Sequence, residues 1–202
     1  MKTFYPSGKA IICLMLILNS CASSKNSVEQ PKTAAESTKD QAACFVQMND
    51  GSIKNYTSLK LVTGVFKTPH LVADDKIVIT TADIKAYQSK DHYAIAQKGF
   101  TAGKPGSVAV EALPGFAVRV ARGKINVYAV KFYNGHNTTE KFYLQSGDEG
   151  QIAAYTPELM KTLIRDNSEA FNYFSGKKAA PLPKKLLATI DIYNNSWYIS
   201  MN

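Results

Sequence analysis

Few side chains in this 202-residue sequence stand at spacings that support chemistry. The three histidines, His70, His92 and His136, include no pair at helical spacing, and no His-Glu-x-x-His occurs. The zinc-hydrolase signature is therefore missing, and each histidine is expected on the surface or as a satisfied polar group. Asp148 and Glu149 fall in Ser146-Gly147-Asp148-Glu149-Gly150, where carboxylates favour turn geometry. They lack the regular carboxylate series of a calcium loop. Gly99-Phe-Thr-Ala-Gly103-Lys104 is one residue short of phosphate-loop spacing, and Pro105 stands where Ser or Thr would hold magnesium. No Gly-x-Ser-x-Gly elbow is present. Glu111 lies among the apolar residues Val108 to Leu113. Facing a cavity, its pKa would rise; in an alternating strand it points to solvent, which is the expected placement. Two acids distant in sequence could still converge for glycoside hydrolysis. On these grounds no catalytic residue, metal ligand or cofactor is named.

Aromatic side chains are the other resource. Tyr128, Phe132, Tyr133, Phe142 and Tyr143 lie on two segments expected to be adjacent strands. Such stripes ordinarily supply core on one face and cross-strand pairs on the other. The functional reading is a surface on which a sugar or peptide stacks.

The third resource is cysteine. Lys2 and Lys9 precede an unbroken apolar run, Ala10 to Leu18, with small residues after it. That is the layout of a secretory signal, and the run is shorter than the roughly 20 residues a membrane span needs. Leu18-Asn19-Ser20-Cys21 resembles the lipobox of bacterial lipoproteins. The resemblance implies that the Cys21 thiol receives a diacylglyceryl group and becomes the acylated N-terminus after cleavage. The rival is ordinary cleavage after Ala22, since Ser20 and Ala22 have small-x-small spacing. With Cys13 in the leader and Cys21 lipidated, only Cys44 remains, which leaves no intramolecular disulfide. Cys44 alternates with Val46 and Met48 and is expected as a small buried apolar residue.

The formal net charge is +8, and losing Lys2 and Lys9 with residues 1–20 brings it to +6. The lysines form no dense stripe of the kind that reads nucleic acid, so a nucleic-acid partner is not expected. Ala22 to Ala43 has one large apolar residue, Val28, and reads as a flexible spacer between an anchored end and a folded domain.

From Cys44 the chain changes character. Short β-branched and aromatic runs alternate with turn signals, giving strands over Cys44–Met48, Ser52–Tyr56, Leu59–Val65, Lys76–Ile79, His92–Gln97 and Ser107–Ala112. Phe116–Ala121, Ile125–Tyr133, Lys141–Gln145 and Gln151–Tyr155 follow. Asn49-Asp50-Gly51, Asp74-Asp75, Pro114-Gly115, Arg122-Gly123 and Asn134-Gly135 are the turns between them. The fold class expected is mainly β, an antiparallel sandwich or barrel-like domain over 44–155. Helices are expected over 156–195, with a tail at 196–202. Thr156-Pro157 starts one, Ser168-Glu169 a second that stops at Gly176, and Leu186, Leu187, Ile190 and Tyr193 share the face of a third. Thr189–Tyr193 also alternates, so a strand is the alternative there.

The order resembles β-rich lipoproteins of Bacteroidetes-type bacteria. The likeness lies in Asp50-Gly51, Gly123-Lys-Ile-Asn-Val-Tyr128, Phe142-Tyr-Leu-Gln-Ser-Gly-Asp148, Asp166-Asn-Ser-Glu-Ala170 and Ile192-Tyr-Asn194. It implies a fold and an address, and no activity. The expectation is a lipid-anchored cell-envelope protein, held to the outer membrane and facing the periplasm. Its partner would be an envelope protein, or alternatively a glycan bound by exposed Tyr and Phe; a hydrolase is the remotest reading.

Overall fold

A computed structural model describes residues 44–63, 67–100, 108–176 and 181–200, with side chains described as far as 195. The leader, Cys21, the 22–43 spacer and Gly103-Lys104-Pro105 lie outside these residues.

Turn chemistry sets the first two hairpins. Asp50 Oδ1 accepts from the backbone N–H of Ser52 at 2.8 Å and its hydroxyl at 2.7 Å. Gly51 takes φ +88°, and the pair β1 (Cys44–Met48) and β2 (Ile53–Tyr56) closes as expected. Asp74 and Asp75 both adopt left-handed backbone, φ 49° and 58°, between β4 (His70–Ala73) and β5 (Ile77–Ile79). Two positive φ angles in succession give the twist that two-residue hairpins favour. Asp74 Oδ1 also accepts from the N–H groups of Thr57 and Ser58, both at 2.9 Å, which ties the turn to the start of β3 (Leu59–Val62).

Strands β3, β4 and β5 form one antiparallel sheet. The other sheet has nine strands: β1, β2, β6 (Ile84–Gln88), β7 (Tyr93–Ala96), β8 (Val108–Val110), β9 (Phe116–Ala121), β10 (Ile125–Tyr133), β11 (Thr138–Ser146) and β12 (Ala153–Ala154). Its order is β12-β11-β10-β9-β7-β6-β1-β2, with β8 paired to β10 beyond the end of β9. The mainly β class is right. Among the described residues the two sheets stay open, with β12 and β2 as edges, and no barrel closes.

Two strands, β4 and β6, were not read from the sequence. In β6 only Ile84, Ala86 and Tyr87 are buried, and Lys85, Ala86 and Gln88 are residues that strands disfavour or use indifferently. Glu111 needs a correction: β8 ends at Val110, and Glu111 sits beyond it with φ +72° rather than within an alternating strand. Its side chain does face solvent, where Lys131 Nζ holds it at 2.9 Å. The bend it makes delivers Ala112 and Leu113 into the core.

Both main cores lie on one face of the large sheet. Over β1, β6, β7 and β9, the small sheet packs Leu59, Leu71 and Ile79 against Val46, Tyr87 and Phe116. This is a local sandwich. Over β10 and β11, the helices pack Met160, Ile164, Phe174, Leu186 and Ile190 against Val127, Phe142 and Leu144. Cys44 is a free, buried member of the first core, as expected.

α1 (Pro157–Leu163) is capped by Thr156, whose hydroxyl accepts from Leu159 N–H at 3.1 Å, with proline in the first turn. α2 (Ser168–Ser175) is capped one residue earlier than Ser168, by Asn167 Oδ1 on Ala170 N–H, and stops at Gly176. α3 (Leu182–Ser200) is a single helix of 19 residues, so Thr189–Tyr193 is helical. It runs through most of the expected tail at 196–202. Asn195 Nδ2 donates to Asp191 Oδ1 at 2.9 Å, an i to i−4 bond that carries the helix across weak helix formers. No helix among the described residues is long and apolar enough to cross a membrane.

Candidate functional site

The opposite face of the large sheet is where unlike side chains are brought into line. Directly opposed residues in antiparallel strands share a face and stand closest. Phe45 is opposite Gln88, Gln88 opposite Tyr93, Arg119 opposite Tyr128, and Tyr128 opposite Tyr143. The β7–β9 register, Ala94 with Val118, sets Tyr93 beside Arg119. The six therefore form a transverse row on strands β1, β6, β7, β9, β10 and β11. At about 4.8 Å per strand the row spans roughly 24 Å.

The row is graded in burial. Tyr128 and Tyr143 are buried in a third core with Phe100, Val130 and Phe132, and Phe100 meets the Tyr143 ring edge-on at 4.6 Å. Phe45, Gln88, Tyr93 and Arg119 are only half-buried. Phe45 and Tyr93 rings are tilted at 47° with centroids 6.4 Å apart. The Arg119 guanidinium lies 4.2 Å over the Tyr93 ring. Tyr128 donates to Gln145 Oε1 at 2.8 Å.

Burial pushes the Tyr93 and Tyr128 phenols above their ordinary pKa, and Arg119 opposes the shift in both. Both are neutral hydrogen-bonding groups at neutral pH, neither nucleophiles nor proton donors of useful strength. Arg119 differs from its neighbours in lacking an acid. Arg122 has Asp148 at 3.7 Å, Lys124 has Asp166 at 2.7 Å, and Lys131 has Glu111 and Glu140. Among the described residues no carboxylate lies within 4.0 Å of Arg119.

A second polar cluster gathers several of the motif residues. Asp166 takes Lys124 Nζ on one oxygen, and the Tyr193 hydroxyl donates to the same carboxylate at 2.9 Å. The Lys124 hydrogen bond holds the Asp166 carboxyl below its ordinary pKa, and the same bond raises Lys124. Beside them, Asn194 grips both backbone groups of Ile125 at 3.0 Å. Every charge here has a partner, and the cluster fastens α3 and the α1–α2 turn to the start of β10.

The remaining candidates are not assembled. His70 Nδ1 is 2.7 Å from Thr68 O, and His136 is exposed. His92 is half-buried, 3.4 Å from the Tyr87 hydroxyl. Burial lowers its pKa, with Asp91 and Glu111 opposing. Among the described residues no three His, Cys, Asp or Glu form a group that could hold a metal. The two aromatic strands divide as amphipathic strands do. Phe142 faces the helices, Tyr128, Phe132 and Tyr143 face the other way and are buried, and Tyr133 alone is exposed. A shallow cleft of about 390 Å³ is lined by Thr81, Lys85, Lys98 and Phe116, and only Phe116, itself buried, brings a ring to it.

The sequence reading missed Phe45, Gln88, Tyr93 and Arg119 as a group. The one local signal was a cation inside the apolar strand Phe116–Ala121, the same anomaly that drew notice to Glu111. Compared with known protein families, curated proteins and solved structures, the chain matches none.

Proposed function

We propose that this chain is a lipoprotein of the cell envelope, tethered at Cys21 to the outer membrane on its periplasmic side. Its β domain is a non-enzymatic module that binds a partner protein. The address is supported by Leu18-Asn19-Ser20-Cys21 behind a charged start and an apolar run, followed by a polar spacer. The observation that carries the binding role is the half-buried row Phe45-Gln88-Tyr93-Arg119. Aromatic rings and arginine are the side chains most enriched at protein interfaces. A sugar-stacking surface would need open ring faces. Here Arg119 covers Tyr93, and Tyr128, Phe132 and Tyr143 are buried.

The test has two parts. Wild-type protein should pellet with membranes and carry an acylated N-terminal Cys21 by mass, while Cys21→Ala should lose the lipid and leave the membrane fraction. A mature chain starting at Ser23 would rule out the tether. Separately, a photo-crosslinking residue at Gln88 should give a discrete adduct in intact cells, and one at Asp191, exposed on α3, should not.

A further inference from the structure

The row's partner can be narrowed by charge. Along the seven long or central strands of the large sheet, the in-register positions on this face hold two ionised side chains, Arg119 and Lys141. Both are cations. The other positions are apolar, aromatic, hydroxyl or carboxamide, among them Gln47, Asn55 and Gln88. Asp148, whose charge reaches both Tyr93 and Tyr128, lies 3.7 Å from Arg122. The in-register positions of this face therefore hold cations and no carboxylate, and Asp148 stands at the rim.

Arg119 is also pre-arranged. Its guanidinium lies 4.2 Å over the Tyr93 ring, and the in-register position on its other side is Tyr128. A stacked guanidinium loses less freedom on binding and keeps its remaining donors in a fixed fork that matches a carboxylate. Because Arg119 is half-buried, an ion pair there is less screened than one on the open surface.

We propose that this face docks an acidic segment of a protein partner, with Arg119 receiving a partner carboxylate. The inference rests on the reading of the row as an interaction surface. Gln88 donates through Nε2 to Ser89 O, which leaves its carboxamide oxygen to accept a partner backbone N–H.

The test uses the full-length protein in detergent and a fluorescent deca-glutamate peptide, with deca-lysine and an alginate oligomer as parallel probes. Deca-glutamate should bind saturably, and Arg119→Gln should weaken it about tenfold, as loss of a charge-assisted fork does. Arg119→Lys should restore only part of the affinity. Lys85→Gln with Lys98→Gln, which removes two cations from the cleft lined by Thr81 and Phe116, should change it less than about threefold, the scale of screened surface charge. Gln88→Glu should weaken binding by repulsion, a readout that does not depend on losing a fold contact. Equal effects of Arg119→Gln and the lysine pair would overturn the proposal. So would Arg119-dependent binding of alginate without deca-glutamate, which would assign the face to an acidic glycan. If the Gln88 crosslink forms in cells while Arg119→Gln changes nothing, the row still binds a partner and only the acidic assignment fails. If no crosslink forms, the row itself is misread.

Discussion

Asn194 shows how much one side chain can hold. Its Oδ1 accepts from Ile125 N–H, and its Nδ2 donates to Ile125 O at 3.0 Å and reaches Arg122 O at 3.5 Å. The carboxamide sits where any Cβ on Gly123 would go, 2.5 Å from Asn194 Cγ. Gly123 is therefore required by space, since its φ is not among the left-handed ones. Gly123→Ala should cost about 1–3 kcal/mol through overpacking. Asn194→Ala should cost about 2–3 kcal/mol, because it strips both partners from a buried backbone unit. The two substitutions act on one contact, so the double variant should lose clearly less than the sum. Urea unfolding of the four proteins measures this, and strict additivity would show that the contact is not shared. Gly123 and Asn194 were both in motifs the sequence reading singled out, but 71 positions separate them. Their contact was invisible without the packing of α3.

At the scale of elements, the Asp74-Asp75 hairpin separates two roles that look alike in sequence. Both residues take positive φ, yet only Asp74 fastens the turn to Thr57 and Ser58, while Asp75 makes an exposed ion pair with Lys60. Asp74→Ala should cost about 1–2 kcal/mol, from lost hydrogen bonds and a poorer left-handed residue. Asp75→Gly should be neutral or stabilising by up to about 1 kcal/mol, because relief of backbone cost outweighs an exposed pair. Thermal melts of the two variants should move in opposite directions or only for Asp74→Ala; a larger loss at Asp75 would contradict the geometry. Strands bounded by turn chemistry were legible from sequence for this reason. Asn49-Asp50-Gly51, Pro114-Gly115 and Asn134-Gly135 each demanded the reversal that is found. β4 escaped because it is only four residues long, with Leu71 and Ala73 inward beside His70, and β6 because Lys85, Ala86 and Gln88 dilute its strand signal. Thr156-Pro157 was legible for the converse reason, since a cap acts on its own next turn.

For the whole molecule, buried phenols set the behaviour with pH. Tyr87 is fully buried, and desolvation raises its pKa from 10.0 to about 12. In the unfolded chain it ionises near 10. Its stabilising contribution is therefore complete below pH 10 and is lost as pH rises through 12, about 3 kcal/mol by linkage. Tyr93 and Tyr128 shift in the same direction. His92 acts on the other side: burial lowers its pKa, so its contribution is present above 6.5 and declines as pH falls through the folded value. The urea midpoint should fall steeply between about pH 10 and 12, and Tyr87→Phe should flatten that slope; an unchanged slope would mean the phenol is not desolvated. The mainly β class with C-terminal helices was legible at this scale because strand length and turn spacing are local. The row was not. It lies at right angles to the chain, and a one-residue slip in any strand would turn that strand's contribution to the other face.

β1 has a mechanical consequence. It is the first described strand, and it is bonded on both edges, to β2 and to β6. Any pull on the chain ahead of Cys44 enters the folded domain through this strand. Drawn along its axis, β1 cannot peel away bond by bond as an edge strand would; both ladders are loaded in shear and must yield together. A chain held ahead of Cys44 would thus keep its fold under tension, with Phe45 and its row beginning on the very strand that bears the load.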